Sequence, residues 1–518
     1  MPLWLALSLP ALPLQLAQRA LDPALAGVLA LAVVEGPPQH PVVAFCNRAA
    51  RSAGVAPGLK LAAAQALARD LIAIERQPLR ERDALAALAC WAYQFSAQVV
   101  PLARQSASGV LIETGASERL FGGRQNLRQR IVRGLRGLGY HAADGAAATP
   151  RAAWLIAQAR ARRLAAPDAA EAAGLRAALA PLSLTLLDWD ESTTGTLQAL
   201  GLATIGDLLR LPRDAFARRF GAHRLADLDR ALGTLADLQP RFVPPERFEA
   251  CIELPADVTE SPQLMFPARR LLRLLEGFLR GRNAGATGLM LRARHSPRRC
   301  APIPPTPIEL ALAVPERNAA RLAQLLEERL MRVTLPEPAI ALELAVERFA
   351  AFAPPEATLL PPAPQTGPHG LSWLQLAETL HARLGSERVF QLQAIDDHRP
   401  EHAYRIVPLA IDAAELRSTA VPALQRPLLI LPTPQPLRPG AGDGGSNNGD
   451  DSGELPEHGG PLALLAGPER IEAGWWDVGQ RPTVHRDYFV ARNRRGQTLW
   501  IYRELAAPRG WYLHGFFA

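Results

Sequence analysis

From Leu3 to about residue 165, short apolar runs such as GVLALAVVE, PVVAFC and GVLIETG alternate with Ala/Leu/Arg stretches of helical period, GLKLAAAQALARDL and LRERDALAALACWAYQF. This alternation constrains the fold more than any other feature, because strands and helices that follow one another in turn bury their apolar faces as an α/β layer. The same region opens with LWLALSLPALPLQLAQRA, where Pro10 and Pro13 interrupt any apolar helix and the first basic residue, Arg19, stands at the far end. A signal core or a membrane span needs an unbroken apolar run, and a signal needs its positive charge in front. The stretch reads as a strand, Leu3 to Leu9, with a proline turn into a helix, in a soluble, cytoplasmic protein.

A chain of 518 residues exceeds one core and should divide. Texture places the divisions. Residues 1–165 are α/β. Residues 166–244 read as all-helical, with Gly and Pro at the breaks. Residues 245–352 begin and end with strand-like runs, FEACIELP and IALELAVERF, around two amphipathic helices, Phe266 to Arg280 and Glu316 to Met331, which is an α+β unit. Residues 353–438 hold the proline-rich APPEATLLPPAPQTGPHG and the start of a C-terminal region. Residues 439–460, rich in Gly, Asp, Asn and Ser, cannot bury a core and are expected to be a disordered insertion. Residues 461–518 form an aromatic-rich end.

The four cysteines, Cys46, Cys90, Cys251 and Cys300, have no C-x-x-C spacing, which argues against a zinc site or disulfide framework and fits a reducing compartment. No metal or cofactor is expected. The formal net charge of +7 favours a polyanionic partner. Lys60 is the only lysine, so a GC-rich genome accounts for the arginine excess as readily as function does. The position of the arginines therefore carries more weight than their number.

One set of motifs runs in order along the chain. In VVAFCNRAARSAGVAPGLKLAAAQALARDLIAI, Asn47, Ala50, Arg51, Gly54 and Val55 keep the N-Y-x-A-R-x-x-G-V pattern of Y-family translesion DNA polymerases, which this segment resembles. The family's first strand, h-D-M-D-x-F-F, falls on Leu5 to Pro10 and places Ala6 at a metal-binding carboxylate. Its second acidic stretch falls on QSASGVLIETGASERLFGG, and aligning Thr114-Gly115 and Leu120-Phe121-Gly122 places Ala107 and Ser108 at the Asp-Glu pair. Two-metal nucleotidyl transfer needs hard oxygen ligands, chiefly carboxylates. Ala6, Ala107 and Ser108 supply no negative charge, so no catalytic residue is expected. Arg51 would be a vestigial nucleotide-binding residue.

Downstream, LQALGLATIGDLLRLPRDAFARRFG resembles the helix-hairpin-helix of the Y-family thumb. The resemblance implies backbone N–H groups aimed at DNA phosphates, with Gly201, Thr204 and Gly206 forming the turn. The α+β unit has the length and order of the little finger. Its basic residues fall in two groups, one with Arg269, Arg270, Arg273, Arg280 and Arg282, the other with Arg292, Arg294, Arg298 and Arg299. Alternation in LMLRARHSPRR puts Arg292 and Arg294 on one strand face. A strand face carrying only Arg reads as a phosphate track, and Arg269, Arg273, Arg292 and Arg294 are the expected DNA contacts. The implied fold class is α/β multidomain and Y-family polymerase-like. It comprises α/β palm and fingers, a helix-hairpin-helix thumb and an α+β little finger, followed by a C-terminal extension with a small aromatic-rich β unit.

The tail segments DHRPEHA, GPERIEAGWWD, RDYFVA and WYLHGFFA resemble the ImuB family, Y-family-like components of a bacterial mutagenesis cassette. That resemblance implies a non-catalytic scaffold of error-prone translesion synthesis. It binds primer-template or single-stranded DNA and bridges the sliding clamp, a RecA-like ImuA protein and a DnaE-type polymerase. Trp475, Trp476, Tyr488, Trp500 and Trp511 are the candidate partner-binding aromatics, although so dense a group also builds a small β core and most of it reads as core. His514 reads as a packed histidine. The family's Q-L-x-L-F clamp peptide is degenerate here: Gln365 lacks the following Leu and Phe, and QLQAI at Gln391 to Ile395 matches in part. Two other readings stand beside the scaffold. One is an active polymerase with metal ligands relocated to Glu113, Asp144 or Glu118; the other is a DNA-binding module unconnected with replication.

Overall fold

The computed structural model describes residues 2–21, 23–103, 107–296, 303–352, 373–408, 426–427, 429–439, 455–476 and 483–517. Arg298, Arg299, Gln365 and most of the linker and insertion lie outside the described residues. The chain forms two compact units, Met1–Arg383 and Leu384–Ala518.

In the first unit the opening stretch is a buried strand, Trp4–Leu9, followed by a helix, Leu12–Gln18, with Pro13 in its first turn, where a missing N–H costs nothing. That strand lies inside a four-stranded sheet, in the spatial order Val99–Ala103, Ser108–Glu113, Trp4–Leu9, Ala143–Ala147. Because side chains alternate across a strand, its two faces enter two different cores. Leu5, Leu7 and Leu9 pack with the helices Pro78–Ala92 and Arg124–Gly137. Trp4 and Ala6 pack with the helix Pro150–Ala161 and the helical stretch that follows it. A smaller sheet, Val42–Cys46, Leu31–Glu35 and Ile72–Glu75, carries the helices Arg48–Ser52 and Leu61–Leu67.

The third sheet runs Thr306–Glu316, Ala284–His295, Ala339–Val346, Phe248–Val258, with the helices Met265–Gly281 and Ala319–Leu330 on one face. The helix Met265–Gly281 also meets the first sheet's helices through Trp91. A Cβ at Gly277 would lie 2.3 Å from the Trp91 ring, and one at Gly134 would lie 2.5 Å from it. The two glycines thus leave room for one indole between the helices Arg124–Gly137 and Met265–Gly281.

The second unit holds a five-stranded antiparallel sheet, Leu429–Pro436, Gly510–Phe516, Thr498–Glu504, Val484–Arg492 and Ala463–Ala473 in spatial order. Its edge strand comes from before residue 439, so the β unit does not begin at residue 461 as texture suggests. Within the expected disordered insertion, residues 440–454 lie outside the described residues, while Pro456–Glu457 pairs with Arg438–Pro439. Among the described residues no helix is long and apolar enough to cross a membrane.

Candidate functional site

The structure brings two of the three expected metal positions into one apolar core. Ala6 is fully buried and clusters with Trp4, Leu111, Ala147 and Trp154, and Ala107 packs against the same cluster. Ser108 starts its strand opposite Leu9. The Trp154 ring presses on the sheet so closely that a Cβ at Gly109 would come within 2.7 Å of it. Beside these residues a cleft of about 270 Å³ is lined by Leu102, Leu111, Trp154, Arg151, Asp227 and Arg230. Its buried Arg151 is committed to Asp227 at 2.7 Å and to the Leu187 carbonyl at 2.6 Å. Asp237, also on the cleft, accepts from the Arg151 N–H, and burial pushes its carboxyl above the usual range. The side chains present do not fit a pair of divalent ions at Ala6, Ala107 and Ser108, since methyl groups and one hydroxyl offer no anionic oxygen.

The carboxylates named for a relocated site are engaged elsewhere. Glu113 accepts from the N–H groups of Leu3, Gly115 and Ala116. Glu118 pairs with Arg124 at 2.9 Å, and Asp144 pairs with Arg128.

The helix-hairpin-helix forms as its sequence indicates. The helix Glu191–Ala199 ends in Gly201, which takes a left-handed φ of +79°, and a short helix, Ile205–Leu208, follows. Its donors, however, point inward. Thr204 caps the short helix in a reciprocal box with Asp207, whose carboxylate accepts from the N–H groups of Ala203 and Thr204 and from the Thr204 hydroxyl. The Ile205 and Gly206 N–H groups bond the carbonyls of Leu182 and Ala180, and those of Gly201 and Leu202 bond Gln198 and Leu197. Every backbone N–H from Gly201 to Asp207 is therefore used within the protein. Gly206 allows close approach to Ala180, whose oxygen would lie 2.9 Å from an added Cβ, and not to a phosphate. Sequence reasoning missed Asp207, although the Thr-x-x-Asp spacing before an apolar run signals it.

The arginines of the third sheet require a second correction. Arg292 is exposed, but Arg294 lies 2.9 Å from Glu343 and 3.7 Å from Glu253. The sheet face opposite the helices carries Glu249, Glu253, Glu309 and Glu343 beside the two arginines, so it is not a cationic track; the neighbouring strands supply the acids that the Arg strand lacks. Arg269 pairs with Glu327 at 3.4 Å, and Arg273 donates to the Gly137 carbonyl at 2.6 Å. Arg51 stands exposed on the helix Arg48–Ser52.

In the second unit Tyr488 and Trp500 are about 1 % exposed and cannot serve as surface anchors. They stack with each other at 4.2 Å, and His514 hydrogen-bonds the Tyr488 hydroxyl at 2.8 Å. Burial pushes the His514 imidazole down to about 4. Trp511 packs on Phe489. Trp475 and Trp476, at 75 % and 46 % exposure, do face solvent. QLQAI lies on the strand Phe390–Ala394, paired with Tyr404–Pro408, and exposes Leu392 and Ile395.

Residues 14–158 match the model of the impB/mucB/samB family. Two curated relatives, each named Protein ImuB and from two strains of Caulobacter vibrioides, are 28 % identical over 490 residues, covering 90 % of this chain and the whole of theirs. Among solved structures, DinB from Sulfolobus solfataricus aligns at 14 % identity and a TM-score of 0.36, and an insertion ternary complex of Dbh DNA polymerase at 13 % and 0.37. Each alignment covers 66 % of this chain and 98 % of the other. With its sheets, helical hairpin and C-terminal β unit, the chain has a Y-family polymerase-like fold, the family match itself covering residues 14–158. The full-length match to the Caulobacter proteins is narrower. Over 90 % of its length the chain is similar to these two ImuB proteins.

Proposed function

We propose that this protein is a non-catalytic, DNA-binding scaffold of error-prone translesion synthesis and damage-induced mutagenesis. The observation that supports the reading most is the apolar core around Ala6, which holds Trp154 and against which half-buried Ala107 packs, at positions the family resemblance assigns to carboxylates. On this reading residues 1–165 act as palm and fingers, 166–244 as thumb and 245–352 as little finger. They hold primer-template or single-stranded DNA through exposed Arg269 and Arg292, with Arg294 partly neutralised and Arg273 turned to the helix Arg124–Gly137. The hairpin at Gly201, Thr204 and Gly206 contributes through the N–H groups of Ala203 and Thr204 where Asp207 yields them. Arg51 remains as a trace of nucleotide binding. Since the chain supplies no chemistry, its work in the cytoplasm is recruitment of a DnaE-type polymerase, a RecA-like ImuA protein and the sliding clamp.

The recruiting surface is assigned to the C-terminal unit, where Trp475 and Trp476 are exposed and the ribbon around Phe390 presents Leu392 and Ile406 to solvent. Two experiments test the reading. Primer extension by the purified protein with Mg²⁺ or Mn²⁺ should give no product; template-dependent synthesis that survives removal of contaminating polymerases refutes it. In a pulldown, residues 1–383 should keep DNA binding and lose the three protein partners. Full retention of all three would move recruitment into the first unit.

A further inference from the structure

The helix Arg124–Gly137 carries five arginines and no acid. Two are consumed locally: Arg124 pairs with Glu118, and Arg128 is held between Asp144 and Asp168. The other three, Arg130, Arg133 and Arg136, are exposed, and none forms an ion pair among the described residues. Their i, i+3, i+6 spacing sets them along one ridge, with Cβ atoms about 5–6 Å apart from one to the next. Leu127, Ile131 and Leu135 bury the opposite side of the helix in the core that receives Leu5, Leu7 and Leu9. Ala6 and the hairpin helices belong to the other core. The ridge is therefore on the reverse side of the palm sheet from the degenerate metal positions.

At the C-terminal end of the helix the ridge continues onto a second element. Arg273 donates to the Gly137 carbonyl, and Gly134 and Gly277 close on the two sides of Trp91. The other exposed positions of the helix, Gln125, Asn126 and Gln129, precede the ridge, and between its arginines lie buried Ile131 and Leu135 and half-buried Val132 and Gly134. A protein interface is organised around an apolar or aromatic anchor, and the aromatic beside the ridge, Phe121, is half-buried under the Arg130 guanidinium and packed on Phe95. Exposed arginines beside side-chain amides on an acid-free helix are a donor set that contacts a phosphodiester backbone.

We infer that Arg130, Arg133 and Arg136, extended by Arg273, form a second nucleic-acid surface on the reverse of the palm, which takes a DNA backbone without reading its sequence. The inference rests on the proposed function only in taking the nucleic acid to be DNA. A scaffold with DNA surfaces on both sides of its palm can hold a template strand away from the face that carries the hairpin.

The test is fluorescence anisotropy of the full-length protein with labelled single-stranded and primer-template DNA, titrated between about 50 and 200 mM salt. The triple variant R130E/R133E/R136E should bind about tenfold or more weakly at the low-salt end, with a log–log salt slope shallower by about two to three contacts. Its thermal melt should match wild type, since all three side chains are exposed. R130Q/R133Q/R136Q should show a smaller loss in the same direction, and it carries the test if the charge reversal impairs folding. Unchanged affinity and slope in a folded variant overturn the ridge while leaving the scaffold reading intact. Failure of the wild-type protein to bind any DNA overturns both. Loss of a protein partner with the DNA slope unchanged would assign the ridge to an acidic polypeptide and overturn the inference.

Discussion

Two regions of the first unit relate to the Y-family pattern in opposite ways. The hairpin keeps its letters, G-h-x-T-h-G-D-L, while the positions expected to hold metal carry Ala6, Ala107 and Ser108. In both, groups that would face a ligand face the protein instead. At the hairpin the N–H groups of Ala203 and Thr204 are taken by Asp207 and those of Ile205 and Gly206 by preceding carbonyls. Around Ala6 the sheet face packs into the core that holds Trp154, whose ring covers Gly109. A sequence pattern of this kind specifies backbone shape, and whether a donor or ligand is available depends on what packs beside it.

The largest expected effect is at Ala6. If its face is a dry core, Ala6→Asp should not restore a metal ligand but should bury an unpaired carboxylate, at a cost of at least about 3 kcal/mol in urea unfolding. An A6D protein with wild-type stability, or one that extends a primer in Mg²⁺, would show the site to be open and break the comparison.

Much of the fold was legible in the sequence because it depends on periodicity and turn chemistry. Pro10 and Pro13 mark the turn after the first strand, and the two amphipathic runs near 266–280 and 316–331 became the helices Met265–Gly281 and Ala319–Leu330. What failed depended on partners distant in sequence. Arg294 looked free because Glu343 and Glu253 arrive from other strands. Tyr488 and Trp500 looked like anchors because alternation within one strand does not reveal which face the sheet will cover, and the edge strand Leu429–Pro436 lies across the insertion from its partner, Gly510–Phe516. The ridge at Arg130, Arg133 and Arg136 was present as letters but became distinct only once Asp144 and Asp168 had removed Arg128 from the count.

The hairpin side of the comparison is sharpened by changing its cap. Thr204→Ala removes the hydroxyl that accepts from the Asp207 N–H and should cost about 1 kcal/mol. Asp207 can be read by pH. The Thr204 hydroxyl and the N–H groups of Thr204 and Ala203 hold its carboxyl below the ordinary 3.8. A carboxyl lowered in the folded state stabilises above its unfolded value and loses that contribution as pH falls through the lower folded value. Acid unfolding of wild type should therefore carry an Asp207 component below about pH 4 that D207N lacks. D207N should also bind DNA more tightly at neutral pH, because an anion no longer competes for the hairpin donors. Unchanged affinity would remove the hairpin from the DNA surface.

The smallest effect is expected at Ser8, two residues from Ala6 on the same strand face. Its side chain is fully buried, and its hydroxyl has no hydrogen-bond partner among the described residues. Ser8 lies opposite Gly109 and Ala143 in the sheet, beneath the ring that covers Gly109. A buried hydroxyl without a partner costs about 1–3 kcal/mol by mutational measures, and Ser8→Ala relieves that cost while giving up only the few dispersion contacts of one oxygen. The two contributions oppose each other, so S8A should range from neutral to more stable than wild type by about 1 kcal/mol, measured by urea unfolding. Destabilisation by more than about 1 kcal/mol would mean that the hydroxyl is hydrogen-bonded, to water or to a neighbour. The face that carries Ala6 would then be wet and polar, and the contrast between a filled metal site and a self-satisfied hairpin would not hold.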